Sequence, residues 1–118
     1  MNKPAFRVFF NERKQWVDVF IADSPARFKR RNDCHAYYLG AQCRKQRRGL
    51  FGFIHLSQMD DTPLSIELMA HEIQHMIFDW WLCRKGNYLT AQNEEFIATI
   101  TGQFSRAFWA KWKRWSNG

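Results

Sequence analysis

No run of apolar residues in this chain approaches the 18 or so that span a bilayer, so a transmembrane segment is not expected. Met1-Asn2-Lys3-Pro4 leads into no apolar stretch of signal-peptide length, and the expected location is cytoplasmic. Cysteine is scarce: Cys34, Cys43 and Cys83 are an odd, widely spaced set, which argues against the disulfide framework of a small secreted domain. Cys34, His35 and Cys43 offer zinc ligands, but without a CxxC pair the signal is weak, and reduced, buried thiols are the plainer expectation. Repeats, linkers and low-complexity stretches are absent too. A chain of 118 residues with 46% hydrophobic and 17% aromatic content should therefore form one domain over residues 1–118, with a core built largely from rings.

Acidic residues are also in deficit, 11 against 18 basic ones. The imbalance is local. Residues 27 to 48 carry Arg27, Lys29, Arg30, Arg31, Arg44, Lys45, Arg47 and Arg48 against the single acid Asp33. Such a field attracts nucleic acid or an acidic protein partner, although two solvated basic loops produce the same composition.

The pattern along the chain changes period midway. Phe6 to Phe10 and Trp16 to Ile21 are short ring-rich and β-branched runs separated by the charged turn Asn11-Glu12-Arg13-Lys14, as expected of two antiparallel strands. Ala36 to Cys43 and Leu50 to Leu56 suggest two more, joined by a basic turn, with Gly52 weakening the last or marking an edge. Asp60-Asp61-Thr62-Pro63 then reads as a helix start, with Thr62 as N-cap and Pro63 at the first helical position. This helix should run to about Arg84, before Lys85-Gly86-Asn87. A second helix should run from near Thr90 to about Trp115. The expected fold class is α+β: a small N-terminal antiparallel sheet followed by two helices.

The first helix carries His71-Glu72-Ile73-Gln74-His75. Histidines at i and i+4 stand one above the other on one helix face and can aim at one ion. Glu72, about 100° round the helix, can serve a metal-activated water as general base without being a ligand. A chain of this composition would contain such a pattern by chance only ~0.006 times. Ile66, Met69, Ile73, Met76, Ile77 and Trp80 surround the polar triad, which implies a largely buried helix on which unpaired polar groups would be costly. A pair of hydrogen-bonded core histidines is the alternative.

A catalytic zinc site takes three protein ligands and leaves one position to water. The third ligand is sought in Asn93-Glu94-Glu95-Phe96-Ile97-Ala98 at the start of the second helix. Ala91, Glu95, Ala98 and Gly102 form one ridge of mostly small residues that would let the two helices approach closely, which favours Glu95, with Glu94 as the alternate.

With these residues in hand, the pattern resembles the gluzincin metallopeptidases, in which HExxH is followed on a later helix by a glutamate ligand with a small residue three places on. The Glu95-Phe96-Ile97-Ala98 run and Gly102 look most like small HExxH proteins of phage genomes, and the resemblance covers residues 50 to 104. It implies a zinc cofactor held by His71, His75 and Glu95, Glu72 as catalytic base, and a protein or peptide substrate laid along the strand Gly52 to Leu56. His55 could face the site from that strand, although a lone strand histidine is more often a plain surface or core residue; Tyr88 would be a candidate oxyanion donor, and Asp79 a candidate orienting acceptor for a histidine or an ordinary surface acid. The chain lacks the length for the further domains of larger gluzincins, so the site should be shallow. The competing function is a non-catalytic module in which zinc staples two helices while segment 27 to 48 contacts nucleic acid or an acidic partner. The C-terminal repeat of Phe104, Phe108, Trp112 and Trp115 suggests a terminal helix packing rings on the sheet, with a membrane-surface or base-stacking role as the sharper alternatives.

Overall fold

The computed structural model describes residues 3–22, 36–41, 48–57, 62–83 and 89–118. Four strands, β1 (Phe6–Phe10), β2 (Gln15–Ile21), β3 (Ala36–Gly40) and β4 (Gly49–Leu56), are followed by two helices, α1 (Pro63–Leu82) and α2 (Ala91–Asn117). The fold is thus α+β, and both expected hairpins are present: β1 pairs with β2 and β3 with β4, each antiparallel. Their junction is parallel, β2 against β4, so the sheet is mixed, in the order β1-β2-β4-β3. No helix among the described residues is long and apolar enough to cross a membrane.

One face of this sheet is the core. Strand residues alternate between faces, and Val8, Phe10, Val17, Val19, Ile54 and Leu56 point to the helices, where they meet Met69, Ile73, Met76, Ile77, Trp80, Ile97, Phe104 and Phe108. Phe10 is the hub: the rings of Phe51, Trp80 and Phe104 meet it edge-on at 5.7, 6.0 and 5.8 Å, the offset geometry that ring quadrupoles favour. Phe51 reaches this face because the β2–β4 register slips between Trp16 and Val17, giving β4 one extra residue at a bulge. α2 closes the β1 side through Phe108 against Phe6 at 5.6 Å. Trp115, beyond the last core ring of α2, is 43% exposed, so only Phe104 and Phe108 of the C-terminal stripe are fully buried and Trp112 is half-buried beside Trp109.

Two polar contacts fix α1 on the sheet. Trp80 Nε1 donates to Gln15 Oε1 at 3.0 Å, and Asn11 Nδ2 donates to the same oxygen at 2.9 Å. Tyr38 Oη donates to Asp79 Oδ2 at 2.8 Å across the gap between β3 and α1. Gly52 explains how that ring gets there. A Cβ at Gly52 would lie 2.7 Å from Tyr38 Cε1 and 2.8 Å from both Tyr38 Oη and the Leu39 carbonyl. Gly52 therefore marks neither an edge nor a weak strand, as its composition suggested; β4 is paired on both sides and the glycine is the floor over which Tyr38 passes.

The helix ends follow local chemistry. Thr62 caps α1 by accepting from the Ser65 amide, and Thr90 caps α2 by accepting from the Asn93 amide at 3.2 Å. The end of α1 falls at Cys83, while Gly86 lies outside the described residues, as do Cys34, His35, Cys43, Tyr88 and most of the basic segment 27 to 48.

Replacing Gly52 with alanine should lower the free energy of unfolding by about 2–3 kcal/mol through overpacking against Tyr38, whereas Tyr38→Phe, which removes only the hydroxyl, should cost about 1 kcal/mol. Urea denaturation of both variants measures this, and a Gly52→Ala protein as stable as the parent would contradict the crossing of the ring.

Candidate metal centre

α1 forms where it does because its buried positions, Met69, Ile73, Met76, Ile77 and Trp80, recur at helical spacing and cover one side of the cylinder. Glu72 falls at the margin of that side, and its side chain is only 11% exposed. The histidines do not share this burial. His71 has 66% of its side chain in solvent and His75 is exposed as well. The apolar surroundings read from the sequence belong to the sheet side of the helix, and Ile66, counted among them, is itself 48% exposed. Of the three side chains, only the carboxylate is withdrawn from solvent.

One turn of helix brings the two rings together. His71 Nε2 and His75 Nε2 are 3.1 Å apart, with ring centroids at 4.7 Å and planes at 76°. Two nitrogens on one tetrahedral zinc, each about 2.0–2.1 Å from it, stand about 3.3 Å apart, so this pair fits one ion with little adjustment. In its absence one neutral imidazole can donate Nε2–H to the lone pair of the other. Glu72 Oε2 is 3.9 Å from His71 Nε2, near enough to share a water with whatever the imidazoles hold. His71, Glu72 and His75 are thus assembled in one place.

The candidate third ligands are placed differently. Glu94 and Glu95 are both exposed near the start of α2, and Glu94, in its first turn, sits where a carboxylate favours a helix N-terminus. The ridge Ala91, Glu95, Ala98 and Gly102 is exposed throughout, and a Cβ at Gly102 would have nothing within 4 Å. The small residues therefore face solvent, not α1. The helices meet instead through Phe96, whose ring lies 6.0 Å from Trp80 and 6.2 Å from Trp81. That flank of α1 is about 150° round the helix from the histidine pair at 100° per residue. Among the described residues no group of three His, Cys, Asp or Glu side chains gathers for a metal.

The flank nearer the sheet edge holds acids. Asp79, considered as an orienting acceptor for a histidine, accepts from Tyr38 of β3 and, at 3.9 Å, from the Cys83 thiol. Glu72, seven positions earlier, lies on the same flank. The edge strand beside α1 is thus β3, not β4. His55 of β4 points away from α1, stacked between Phe20 at 4.9 Å and Tyr37 at 4.8 Å with planes within 11° and 6°. This is the ordinary place of a strand histidine and not a place in the site, since residues 54 to 56 alternate and Ile54 and Leu56 take the core face.

Because the histidines are surface groups, replacing either with alanine in the presence of a chelator should change the free energy of unfolding by no more than about 0.5 kcal/mol, while Ile73→Ala should cost about 2–5 kcal/mol. Paired urea titrations compare them, and a multi-kilocalorie loss for His71→Ala would return that side chain to the core. Comparison with protein-family models, with curated proteins and with solved structures gave no match.

Proposed function

We propose that this protein is a zinc-dependent metallopeptidase in which His71 and His75 hold the metal, Glu95 or its neighbour Glu94 completes the ligand set, and Glu72 is the general base. The single observation that supports this most is the convergence of His71 Nε2 and His75 Nε2 to 3.1 Å with the Glu72 carboxylate 3.9 Å from His71. Zinc bound there would supply Lewis acidity toward water and a substrate carbonyl.

The chain's own residues do the rest. Glu72, held nearly dry at the margin of the core, takes a proton from the attacking water at a carboxylate oxygen and returns it to the leaving amine nitrogen. Burial favours such a role, since water competes poorly for a carboxylate held in place. A ligand from the start of α2 requires that end of the helix to move toward the histidine face, because α2 now meets α1 on the Trp80–Trp81 flank. An extended peptide segment along β3, the terminal strand beside Glu72, would be bound through main-chain hydrogen bonds with little dependence on side chains. The exposed histidines suit a protein substrate reached from solvent without a deep cleft.

Purified protein should carry zinc that is lost in the double variant His71→Ala, His75→Ala. Glu72→Gln should keep the zinc and lower hydrolysis of an unfolded casein substrate by at least about 100-fold. Zinc content by atomic emission and release of labelled peptide are the readouts, and activity that survives Glu72→Gln would refute the base.

A further inference from the structure

The side of α1 that carries the histidines is apolar on either side of them. Leu64, Phe78 and Leu82 are 64, 51 and 63% exposed, and Leu68 is half-buried. With His71 and His75 they fall at 64, 68, 71, 75, 78 and 82. Those steps of four, three, four, three and four average 3.6 residues, so at 100° per residue all six side chains share one stripe, a seam about 80° wide. The seam also reads the same in both directions about residue 73. Two copies of α1 laid antiparallel across a twofold axis at that point set Leu64 opposite Leu82, Leu68 opposite Phe78 and His71 opposite His75, the self-complementary contact that a symmetric dimer requires.

We propose that this seam receives a second copy of the same chain, and that the His71–His75 pairs of the two copies together hold one zinc ion on the axis. The inference rests on the metal-binding part of the proposed function and not on hydrolysis.

The size of the seam says why the metal is needed. Eighteen residues of helix rise about 27 Å, and a contact strip about 10–12 Å wide covers about 300 Å² on each copy, well under the roughly 800 Å² per partner of a stable interface. Apolar packing along α1 alone is too small to hold the pair. Four imidazole nitrogens fill a tetrahedral zinc completely, and each copy already holds its two at 3.1 Å. A site filled in this way has no position left for water. Any hydrolysis would therefore belong to the single chain and not to the dimer.

Sedimentation velocity of the metal-free full chain, titrated with zinc chloride, tests this together with zinc content. The expected result is a single chain without zinc and a dimer that is complete at one zinc per two chains. The double variant Phe78→Ser, Leu82→Ser, which alters only exposed side chains, should stay monomeric and bind zinc at least tenfold more weakly, with an unchanged circular dichroism spectrum. One zinc per chain on a monomer overturns the dimer and leaves the metal reading standing. Absence of zinc binding overturns both. A dimer that forms equally without zinc, or that the seam variant does not weaken, overturns the shared site.

Discussion

The hydrogen bond from Tyr38 to Asp79 sets the rotation of α1 about its own axis, and every property of the candidate site depends on that rotation. A helix resting on a sheet by apolar contacts alone tolerates some roll, since Leu, Ile and Met are interchangeable partners for a flat surface. A tyrosine hydroxyl at 2.8 Å from one carboxylate oxygen does not. With Asp79 held against β3, position 72 lands at the same margin, half in the core, and positions 71 and 75 are carried out to solvent. Trp80, tied to Gln15 from the other side of the helix, opposes the roll in the reverse direction. Gly52 is the residue on which this arrangement was built, because any side chain there would lift the tyrosine away.

The same geometry separates two roles that HExxH joins in sequence. Adjacent residues on a helix are about 100° apart, so a helix with a sharp boundary between dry and wet sides can put Glu72 on one side and both histidines on the other. Exposed imidazoles stay accessible to a metal ion or to another molecule. A buried carboxylate keeps a fixed position at the rim.

Much of the fold was legible because local rules governed it. Both hairpins followed from alternation and turn composition, and the first helix start from the Thr62 cap with Pro63 behind it; the second start was placed near Thr90, which the structure shows to be its cap. What escaped was whatever depended on the join between the two halves of the sheet. The parallel pairing of β2 with β4 makes β4 interior and β3 the edge, and no local signal in Gly49–Leu56 distinguishes those two places. For the candidate site, spacing was enough to bring His71, Glu72 and His75 together, since one helical turn does this whatever the surroundings. Their burial was misjudged for the histidines because the apolar residues interleaved with them face the sheet, not the rings. The small-residue ridge of α2 misled for a related reason: spacing shows that Ala91, Glu95, Ala98 and Gly102 share a face, but not which neighbour that face meets. Phe96, a bulky residue beside the ridge, makes the contact instead.

The parallel join has a consequence for how the chain reaches this structure. Each hairpin closes over a short span and can form early, but β2 and β4 come together only when the whole segment from 22 to 48 is looped back, and long loops and non-local pairings slow folding. Gln15 and Tyr38, the two anchors of α1, stand on opposite sides of that junction, one in each hairpin. Neither half of the sheet alone offers the helix both of its anchors. The orientation of His71, Glu72 and His75 is thus among the last features of the molecule to be fixed, and it is fixed by the same step that completes the core.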